Sequence, residues 1–396
     1  MGIETEYGLM CASTEGGTPP LDPEETAAEL FRAVLESGLS TNAFLANGAR
    51  LYLDVGAHPE YATAECRTVA DLVAHDRAGE LLFAGMAAEA NERLAARGVP
   101  GRIHLFKNNL DAAGNSYGCH ENYLVRRRPD YRARISTMLP FFVTRQIVAG
   151  AGCLRRGEDL KVAAPEALLV LVEDGAVLPG IRLADPVEAI RAASLDLTGR
   201  APLALQGGGV TTPVDVQRRM LEAVLAHYDA RGYAADLPEG TRYLFDLWGR
   251  AIDAVASGDH AGIATEIDWA AKLALVERYM RRSGAELGDP RLARLDLAYH
   301  DVTDAGLRAS MESAGLLRTF TGPGAAERAS ARPPQNTRAK LRGEFVAKAR
   351  RLRFDYAVDW TNLRLLEVEG TRTVVLKDPF SSADERVDAL MDKMER

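Results

Sequence analysis

Cysteine, long apolar runs and excess positive charge are all scarce in this sequence of 396 residues. The cysteines lie far apart, without the paired spacing of a metal site, and are too few to crosslink a chain of this length. No apolar run approaches the roughly 18 residues of a membrane-spanning helix, and no signal peptide precedes the first strand-like residues. These absences predict a cytoplasmic protein without a membrane segment. We expect reduced, mostly buried thiols at Cys11, Cys66, Cys119 and Cys153.

The formal net charge of −8 argues against nucleic-acid binding, which requires a broad basic surface. Neither a P-loop nor a dinucleotide-binding fingerprint is present, so a nucleotide would have to bind on a sheet face, through a metal and scattered side chains. Apolar residues make up 47% and charged residues 26%, which are the proportions of an ordinary folded protein.

The first half of the chain mixes short strands with helices. A capping box at Asp22 begins one predicted helix, and a second helix covers about residues 68–97. Residues 102–128 are predicted to form a hairpin with its tip at 111–114.

From residue 130 onward helices dominate, and Trp248 and Trp269 lie at helical spacing among aliphatic residues, which indicates core positions. The small, Pro-rich stretch 321–337 predicts a linker or mobile loop. A helix, two strands and a last short helix follow it. We therefore predict a large domain over residues 1–325 and a small C-terminal α/β domain over residues 326–396.

Two predicted strands carry polar residues on one face and apolar residues on the other. Every second residue is polar at the start of "ARLYLDVGAHPEYATAEC", residues 49–66, and "MGIETEYGLM" at the N-terminus has the same alternation. Such strands with hairpin connections predict a mostly antiparallel sheet with one face exposed to a site. The polar set is Glu4, Glu6, Arg50, Tyr52, Asp54 and Glu60.

Oxygen groups gathered on one sheet face suit magnesium, which binds carboxylate and phosphate oxygens and keeps several waters. The alternative for any single carboxylate is a solvated strand face with a surface ion pair. A third segment, "GNSYGCHENYL", carries His120 and Asn122 on one face. It is equally consistent with part of the site and with an edge strand that holds one hydrogen-bonded core histidine.

Ten short motifs, spread over nearly the whole chain, closely resemble the Pup-ligase family. These bacterial enzymes attach the small disordered protein Pup to lysines of target proteins, and they are related to the carboxylate-amine ligases typified by glutamine synthetase. The sister family of Pup deamidases and depupylases shares the fold, but the form "IETEYG" and the short connection from Leu9 to Leu21 favour the ligase. The motifs are "GIETEYG", "NGARLYLDVGAHPEYATAEC", "LFKNN", "GNSYGCHENYL", "LPFFVTRQIVAGAG", "DLWGR", "TEIDW", "LDLAYHD", "LRGEF" and "KDPF".

The resemblance implies an α+β fold in which a glutamine synthetase-like, mostly antiparallel curved sheet packs on helices. It also implies a role for each polar residue, with Glu6 supporting or joining the metal ligands. The implied metal ligands are Glu4, Tyr52 and Glu60, the implied ATP contacts are Arg50, Thr63 and Trp360, and the implied catalytic base is Asp54.

The implied reaction uses ATP and Mg²⁺ to phosphorylate the side-chain carboxylate of Pup's C-terminal glutamate. A target lysine then attacks the glutamyl phosphate and forms an isopeptide bond, which marks the target for the bacterial proteasome. Because a lysine has a pKa near 10.4, it must lose a proton to a base before it can attack. The expected partners are Pup and lysine-bearing proteins, without nucleic acid or membrane.

One block of the family's sequence is missing after residue 155. The segment that follows, "GEDLKVAAPEALLVLVEDG", resembles the family from the far side of that block. Either the deletion is real or a stretch has been closed up in the sequence. The deletion leaves open two alternatives to ligation, which are a depupylase or deamidase on the same scaffold and a non-catalytic Pup-binding homologue.

Overall fold

The structure is a computed structural model, and it describes residues 1–108, 117–125, 129–148, 178–196, 198–232, 237, 239–303, 306–368 and 370–395. The chain divides into two compact units. Unit 1 comprises Met1–Tyr123, His300–Gly306 and Phe320–Arg396, and unit 2 comprises Leu124–Tyr299 and Leu307–Thr319. In the described ranges, no helix has both the length and the apolar composition needed to cross a membrane.

The N-terminal part of unit 1 contains a five-stranded sheet in the order β3–β4–β5–β1–β7, in which every pair is antiparallel. Strands β2 and β6 form a separate antiparallel pair. The prediction of a mostly antiparallel sheet packed on helices is therefore confirmed. The elements are β1 (Gly2–Glu6), β2 (Gly8–Ser13), α1 (Pro23–Glu36), β3 (Asn42–Phe44), β4 (Arg50–Asp54), β5 (His58–Ala62), α2 (Val69–Ala96), β6 (Gly101–Phe106) and β7 (Cys119–Asn122).

The predicted hairpin over residues 102–128 is wrong. Strand β6 pairs with β2, whereas β7 pairs with β1, so the two strands have different partners. The alternation of residues identified both strands correctly, but it carries no information about which distant strand each one joins. The predicted tip, 111–114, lies outside the described residues.

The apolar face of the five-stranded sheet packs against α2, which leaves the opposite face for the polar residues. Tyr61 of β5 is buried, and its ring lies so close to Gly79 of α2 that a Cβ there would be 2.5 Å from Tyr61 Cδ1. The predicted capping box at Asp22 is confirmed, and α2 begins after an N-cap at Thr68. Helix α2 thus supports the sheet on the face opposite the polar residues.

Unit 2 is mainly helical, as the sequence predicts. Trp248 and Trp269 are buried in its core, where Trp248 Nε1 donates to Gln217 Oε1 at 3.0 Å and Trp269 Nε1 donates to the carbonyl of Val148 at 3.2 Å. The elements are α3 (Tyr131–Thr144), α4 (Pro186–Leu195), β8 (Leu203–Ala204), β9 (Val210–Thr211), α5 (Pro213–Ala230), α6 (Glu239–Ser257), α7 (Asp268–Ser283), α8 (Pro290–His300) and α9 (Leu307–Ser313).

The C-terminal part of unit 1 has its own apolar core around a three-stranded antiparallel sheet in the order β10–β11–β12. The sequence predicted two strands here, and the first of them is interrupted by a turn at residues 359–361. The predicted division at residues 325 and 326 stays a prediction. The elements are α10 (Ala325–Ala331), α11 (Arg338–Leu352), β10 (Tyr356–Val358), β11 (Asn362–Glu367), β12 (Gly370–Val375) and α12 (Glu385–Lys393).

The predicted linker over residues 321–337 contains a helix, α10, and is therefore corrected. Ala329 of α10 is buried against Ala74 and Ala78 of α2. Small side chains permit this close helix packing, although the same residues in a Pro-rich stretch are typical of a loop. The thiols of Cys11 and Cys66 are buried, as expected, whereas Cys119 is exposed and Cys153 lies outside the described residues.

Candidate functional site

The strand register gathers the predicted polar residues on one face of the five-stranded sheet. Glu60 of β5 lies directly opposite Glu6 of β1 on one side and Tyr52 of β4 on the other. Directly opposed residues in antiparallel strands project to the same face, so the three side chains share a surface. By the same rule, Glu4 and His120 share this face, because they are opposed across the β1–β7 pair.

At the centre of this face, one phenol contacts two carboxylates. The hydroxyl of Tyr52 lies within hydrogen-bonding contact of Glu4 Oε1 and of Glu60 Oε2. Burial and these two carboxylates raise the pKa of Tyr52 well above its ordinary value, so the phenol stays protonated. Burial, together with the nearby charges of Asp54, Glu4 and Glu6, raises the pKa of Glu60 against the opposing hydrogen bond from Tyr52. The centre of the face therefore carries more negative charge than its protein neighbours offset.

Two histidines flank these carboxylates. His58 Nδ1 contacts Glu6 Oε1, and the other oxygen of Glu6 accepts a hydrogen bond from the backbone amide of Gly118. His120 Nδ1 lies 3.1 Å from Glu4 Oε2 on a side chain that is 70% exposed. Strand β7 is thus an edge strand, but its histidine lies on the polar face and not in a core. The sequence indicated the histidines by position, but not their individual carboxylate partners.

Arg50 and Asp54 lie on the same strand as Tyr52 and face the same side. The Arg50 guanidinium lies 4.2 Å from the centroid of the Tyr52 ring, and its Nε donates to Asn42 Oδ1 at 2.9 Å. Among the described residues no acceptor is recorded for its two terminal amino groups, which leaves them available for phosphate oxygens. Asp54 is exposed at the end of β4, opposite His58. Its carboxylate can therefore reach a substrate that arrives from solvent.

Thr63 and Trp360 lie at the borders of this group. Thr63 follows β5 and is buried, and its hydroxyl accepts a hydrogen bond from the amide of Ile3 at 3.0 Å. Trp360 lies in the turn between β10 and β11, with its ring edge-on to Phe44 at a centroid distance of 4.9 Å. Since Phe44 is directly opposite Arg50 across the β3–β4 pair, Trp360 lies next to the arginine end of the polar face. The structure thus brings Glu4, Tyr52 and Glu60 into contact and Arg50 and Asp54 onto the same face.

The chemistry of the donor set suits a magnesium ion. In the part of the chain that the structure describes, no three His, Cys, Asp or Glu side chains form a ready-made metal centre. Glu4 and Glu60 share one donated hydrogen from Tyr52, so their negative charge is only partly offset. Magnesium is commonly held by one or two carboxylates, with phosphate oxygens and waters completing the octahedron. Two carboxylates beside an available arginine meet this description.

One residue of this region, Arg342, was not predicted from the sequence. Arg342 of α11 is fully buried and contacts Glu65, Gly48 and Trp360. The sequence contained it only as part of the motif "LRGEF", without a role. A basic residue in a helix ordinarily indicates a solvated face, and the partners are too distant in sequence for any local pattern to join them.

Comparison with known sequences identifies close relatives over the full length. The profile of the family described as "Pup-ligase protein" matches residues 1–160 and 157–364. The Pup–protein ligase of Sanguibacter keddieii is 42% identical over 453 positions, which cover 99% of this chain and 98% of the relative. The Pup–protein ligase of Xylanimonas cellulosilytica is 42% identical over 454 positions, which cover 99% of both chains.

Two solved structures share the fold. The ligase PafA in its complex with the prokaryotic ubiquitin-like protein Pup superposes with a TM-score of 0.91 at 34% identity, covering 100% of this chain and 92% of that chain. The Pup ligase PafA in complex with ADP superposes with a TM-score of 0.83 at 33% identity, covering 96% of both chains.

The comparisons also bear on the block missing after residue 155. Alignments over 453 and 454 positions exceed the 396 residues of this chain, so they include dozens of positions at which this chain has no residue. The two segments matched by the family profile meet at residues 157–160, where the sequence resemblance is interrupted. The junction itself lies outside the described residues. With matches that span the chain from end to end, the protein belongs to the Pup-ligase family.

Proposed function

We propose that this protein is an ATP-dependent ligase that joins Pup to lysines of target proteins through an isopeptide bond. Its relatives carry the name Pup–protein ligase, and the polar sheet face supports the same chemistry here. The observation that carries the proposal is the convergence of Glu4, Tyr52 and Glu60, with Asp54 on the same face. Such a ligase needs groups that bind a metal ion and a group that accepts a proton.

The bond to be formed requires an activated carboxylate. ATP transfers its terminal phosphoryl group to the side-chain carboxylate of Pup's C-terminal glutamate, which releases ADP. The lysine amine then displaces phosphate from the glutamyl phosphate, and the amine's proton goes to a base. A solved relative, the Pup ligase PafA, binds ADP, which supports ATP as the co-substrate. Arg50, Thr63 and Trp360 are the proposed nucleotide contacts.

Glu4, Tyr52 and Glu60 are the proposed holders of Mg²⁺, with Glu6 close by. When bound, the ion offsets the repulsion between the carboxylate and the phosphate oxygens. Arg50 is held over the Tyr52 ring, so its guanidinium is directed along the same face, where it can bind phosphate bidentately. The protein groups thus place positive charge beside the anions to be joined.

Asp54 is the proposed catalytic base. Its side chain is exposed at the end of β4, which gives a protein-bound lysine access to it. The lysine must lose a proton because its ordinary pKa of about 10.4 keeps it cationic at neutral pH. A carboxylate beside the incoming amine accepts that proton as the new bond forms.

Reconstitution tests the proposal. The protein is incubated with Pup ending in glutamate, ATP, Mg²⁺ and a lysine-bearing target, and the conjugate is identified by mass spectrometry as a glutamyl-lysine isopeptide. A parallel reaction supplies a pre-tagged target without free Pup. Conjugation in the first reaction supports the ligase, and release of Pup in the second without conjugation would support the depupylase.

The missing block is the reason to test a non-catalytic alternative as well. The chain lacks dozens of positions that its relatives have, and the family match is interrupted near residue 157. Binding of Pup without conjugation or release would indicate a Pup-binding homologue that has lost the missing block's contribution. We place the protein in the cytoplasm, where ATP, reduced thiols and proteasome substrates coexist.

A further inference from the structure

Arg342 of α11 is a fully buried cation with every hydrogen-bond donor occupied. A guanidinium has five N–H donors in a fixed planar fork. Nε donates to the carbonyl of Gly48 at 3.2 Å and one Nη2 hydrogen to the same carbonyl at 2.7 Å, while the other contacts Glu65 Oε2. The two Nη1 hydrogens reach Glu65 Oε1 and the carbonyl of Trp360, each at 3.1 Å.

The same guanidinium packs against two aromatic rings. Its central carbon is 5.3 Å from the centroid of Phe44 and 4.9 Å from that of Trp360. The two rings meet edge to face, so the arginine packs against both partners of one aromatic pair. Trp360 is therefore fixed through its carbonyl and through its ring.

Glu65 supplies the opposing charge. Burial acts to raise the pKa of its carboxyl, but Arg342 and then Arg338 outweigh burial, so that the pKa of Glu65 is lowered. Arg338 Nε donates to Glu65 Oε1 at 2.8 Å, and the hydroxyl of Thr337 donates to the Glu65 carbonyl at 2.7 Å. The carboxylate thus stays ionised and keeps Arg342 in one orientation.

Close backbone contact between α11 and the β3–β4 turn is part of the arrangement. A Cβ at Gly343 would lie 2.4 Å from the carbonyl oxygen of Ala46, and one at Gly48 would lie 3.0 Å from that of Ala339. Gly48 also has a φ of +79°, which disfavours other residues. The helix is therefore seated directly on the turn that precedes β4.

The three segments bound by Arg342 are the three that carry the proposed nucleotide contacts. Gly48 is two residues before Arg50, Glu65 is two residues after Thr63, and Trp360 is itself a proposed contact. We propose that Arg342 is a positioning residue for nucleotide binding, which sets the mutual geometry of these three segments without touching the nucleotide. This inference rests on the proposed function, because it assigns a determinant of that same site.

A core of this kind does not in general need a buried ion pair for its stability. Buried ion pairs are frequently replaced by apolar residues without loss of stability, so a fully bonded, desolvated arginine points to geometric precision. A lysine would keep the charge but would lose the planar fork, and it could not bind Gly48, Glu65 and Trp360 together. Arg342→Lys is therefore the informative substitution.

The experiment compares the full-length protein with Arg342→Lys and with the control Arg338→Lys. Arg338 contacts Glu65 but neither Gly48 nor Trp360, so its substitution leaves the three segments bound together. ADP affinity is measured by calorimetry with Mg²⁺, and the ATP dependence of Pup conjugation gives KM and kcat separately. Partners that orient metal ligands typically change metal affinity by about 10- to 100-fold, and we expect an effect of the same order on nucleotide affinity here.

We expect Arg342→Lys to raise the ADP Kd and the ATP KM at least tenfold, with kcat at saturating ATP within about threefold of the parent. The reason is that the pairing of β1 and β4 with β5 positions Glu4, Tyr52 and Asp54. Arg342 contacts none of these three residues. The control should retain the parent Kd and KM. Unchanged Kd and KM in folded Arg342→Lys, or a fall in kcat alone, would overturn the inference.

A second variant covers the case in which the lysine variant does not fold. Arg342→Met combined with Glu65→Gln removes the two charges of this pair together and leaves an amide oxygen that can still accept from Arg338. This folded double variant should show the same weakened ADP binding, and parent-like binding would again overturn the inference. If the parent protein itself neither binds ADP nor forms conjugates, then the proposed function fails, and it fails independently of Arg342.

Discussion

Tyr52 and Glu60 face each other across the β4–β5 pair, and their side chains meet at the phenolic hydroxyl. Glu4 reaches the same hydroxyl from β1, on the far side of β5. One neutral group therefore holds two carboxylates close together before any cation is bound. We expect this arrangement to limit the movement of the two carboxylates when the proposed metal ion binds.

Removing the hydroxyl of Tyr52 should weaken Mg²⁺ binding and so raise the Mg²⁺ concentration that conjugation requires. In Tyr52→Phe the ring can still pack beneath Arg50, but the two carboxylates lose their common donor and one proposed metal ligand is absent. We expect conjugation at limiting Mg²⁺ to fall about tenfold or more, with partial recovery at high Mg²⁺. The measurement is a Mg²⁺ titration of the initial conjugation rate.

Tyr356→Phe is the matched control for this titration. The hydroxyl of Tyr356 is buried in the C-terminal part of unit 1 and has no hydrogen-bond partner among the described residues, so its removal breaks no bond there. The Mg²⁺ dependence of this control should equal that of the parent. Equal Mg²⁺ dependence in Tyr52→Phe and the parent would remove Tyr52 from the metal site.

Asp54→Asn should slow the transfer to lysine. The amide keeps the size of the side chain but cannot accept the lysine proton, and the exposed position at the end of β4 makes a folding defect unexpected. We expect single-turnover transfer to slow by about a hundredfold or more, while ADP binding is retained. Asp355→Asn, another exposed aspartate of unit 1, serves as control. Near-normal transfer by Asp54→Asn would exclude this residue as the base.

The sequence predicted the polar face well because strand alternation is local. Side chains alternate with a period of two, so Glu4 and Glu6, or Tyr52 and Asp54, must share a face wherever the strand lies. Pairing in register then brought Glu60 between them. Neither step required knowledge of distant residues.

The elements that the sequence did not predict all depend on distant contacts. The partners of β6 and β7 are strands about a hundred residues earlier, and α10 is a helix because its alanines pack on α2. The bonds of Arg342 join segments nearly three hundred residues apart. No local pattern encodes such pairings, and family motifs indicate only that a residue matters.

Glu65→Gln should lower stability at neutral pH and much less in acid. The pKa of Glu65 is lowered in the folded protein, so its contribution is complete above the unfolded value of about 4.3 and is lost as the pH falls through the lower folded value. Removing one partner of a buried ion pair costs about 3 kcal/mol, which we expect at pH 7. Chemical denaturation at pH 7 and below pH 4 measures the difference from the parent.

Glu395→Gln provides the comparison for this pH dependence. Glu395 also pairs with a cation, Lys348, but its side chain is exposed, so solvent screens the interaction. Its substitution should leave the denaturation midpoint within experimental error at both pH values. A difference between Glu65→Gln and the parent that stays constant from pH 7 into acid would contradict ionisation of Glu65 as the source of the stability.

The last prediction concerns the seat of α11 on the β3–β4 turn. In Gly343→Ala the new Cβ would lie 2.4 Å from the Ala46 carbonyl oxygen and 3.0 Å from Pro333 Cγ, so the helix must move away from the turn. Overpacking of this kind costs about 1 to 3 kcal/mol. The shift also draws Arg342 away from Gly48, so ADP binding should weaken along with the free energy of unfolding.

Gly85→Ala in α2 is the control, because a Cβ there lies within 4 Å of no atom of the described residues. Alanine is favoured over glycine inside a helix by about 1 kcal/mol, so this variant should be slightly more stable than the parent and should bind ADP equally well. Denaturation and ADP calorimetry are run on both variants. If Gly343→Ala matched the parent in both measurements, the close contact between α11 and the turn would have no bearing on either stability or the nucleotide site.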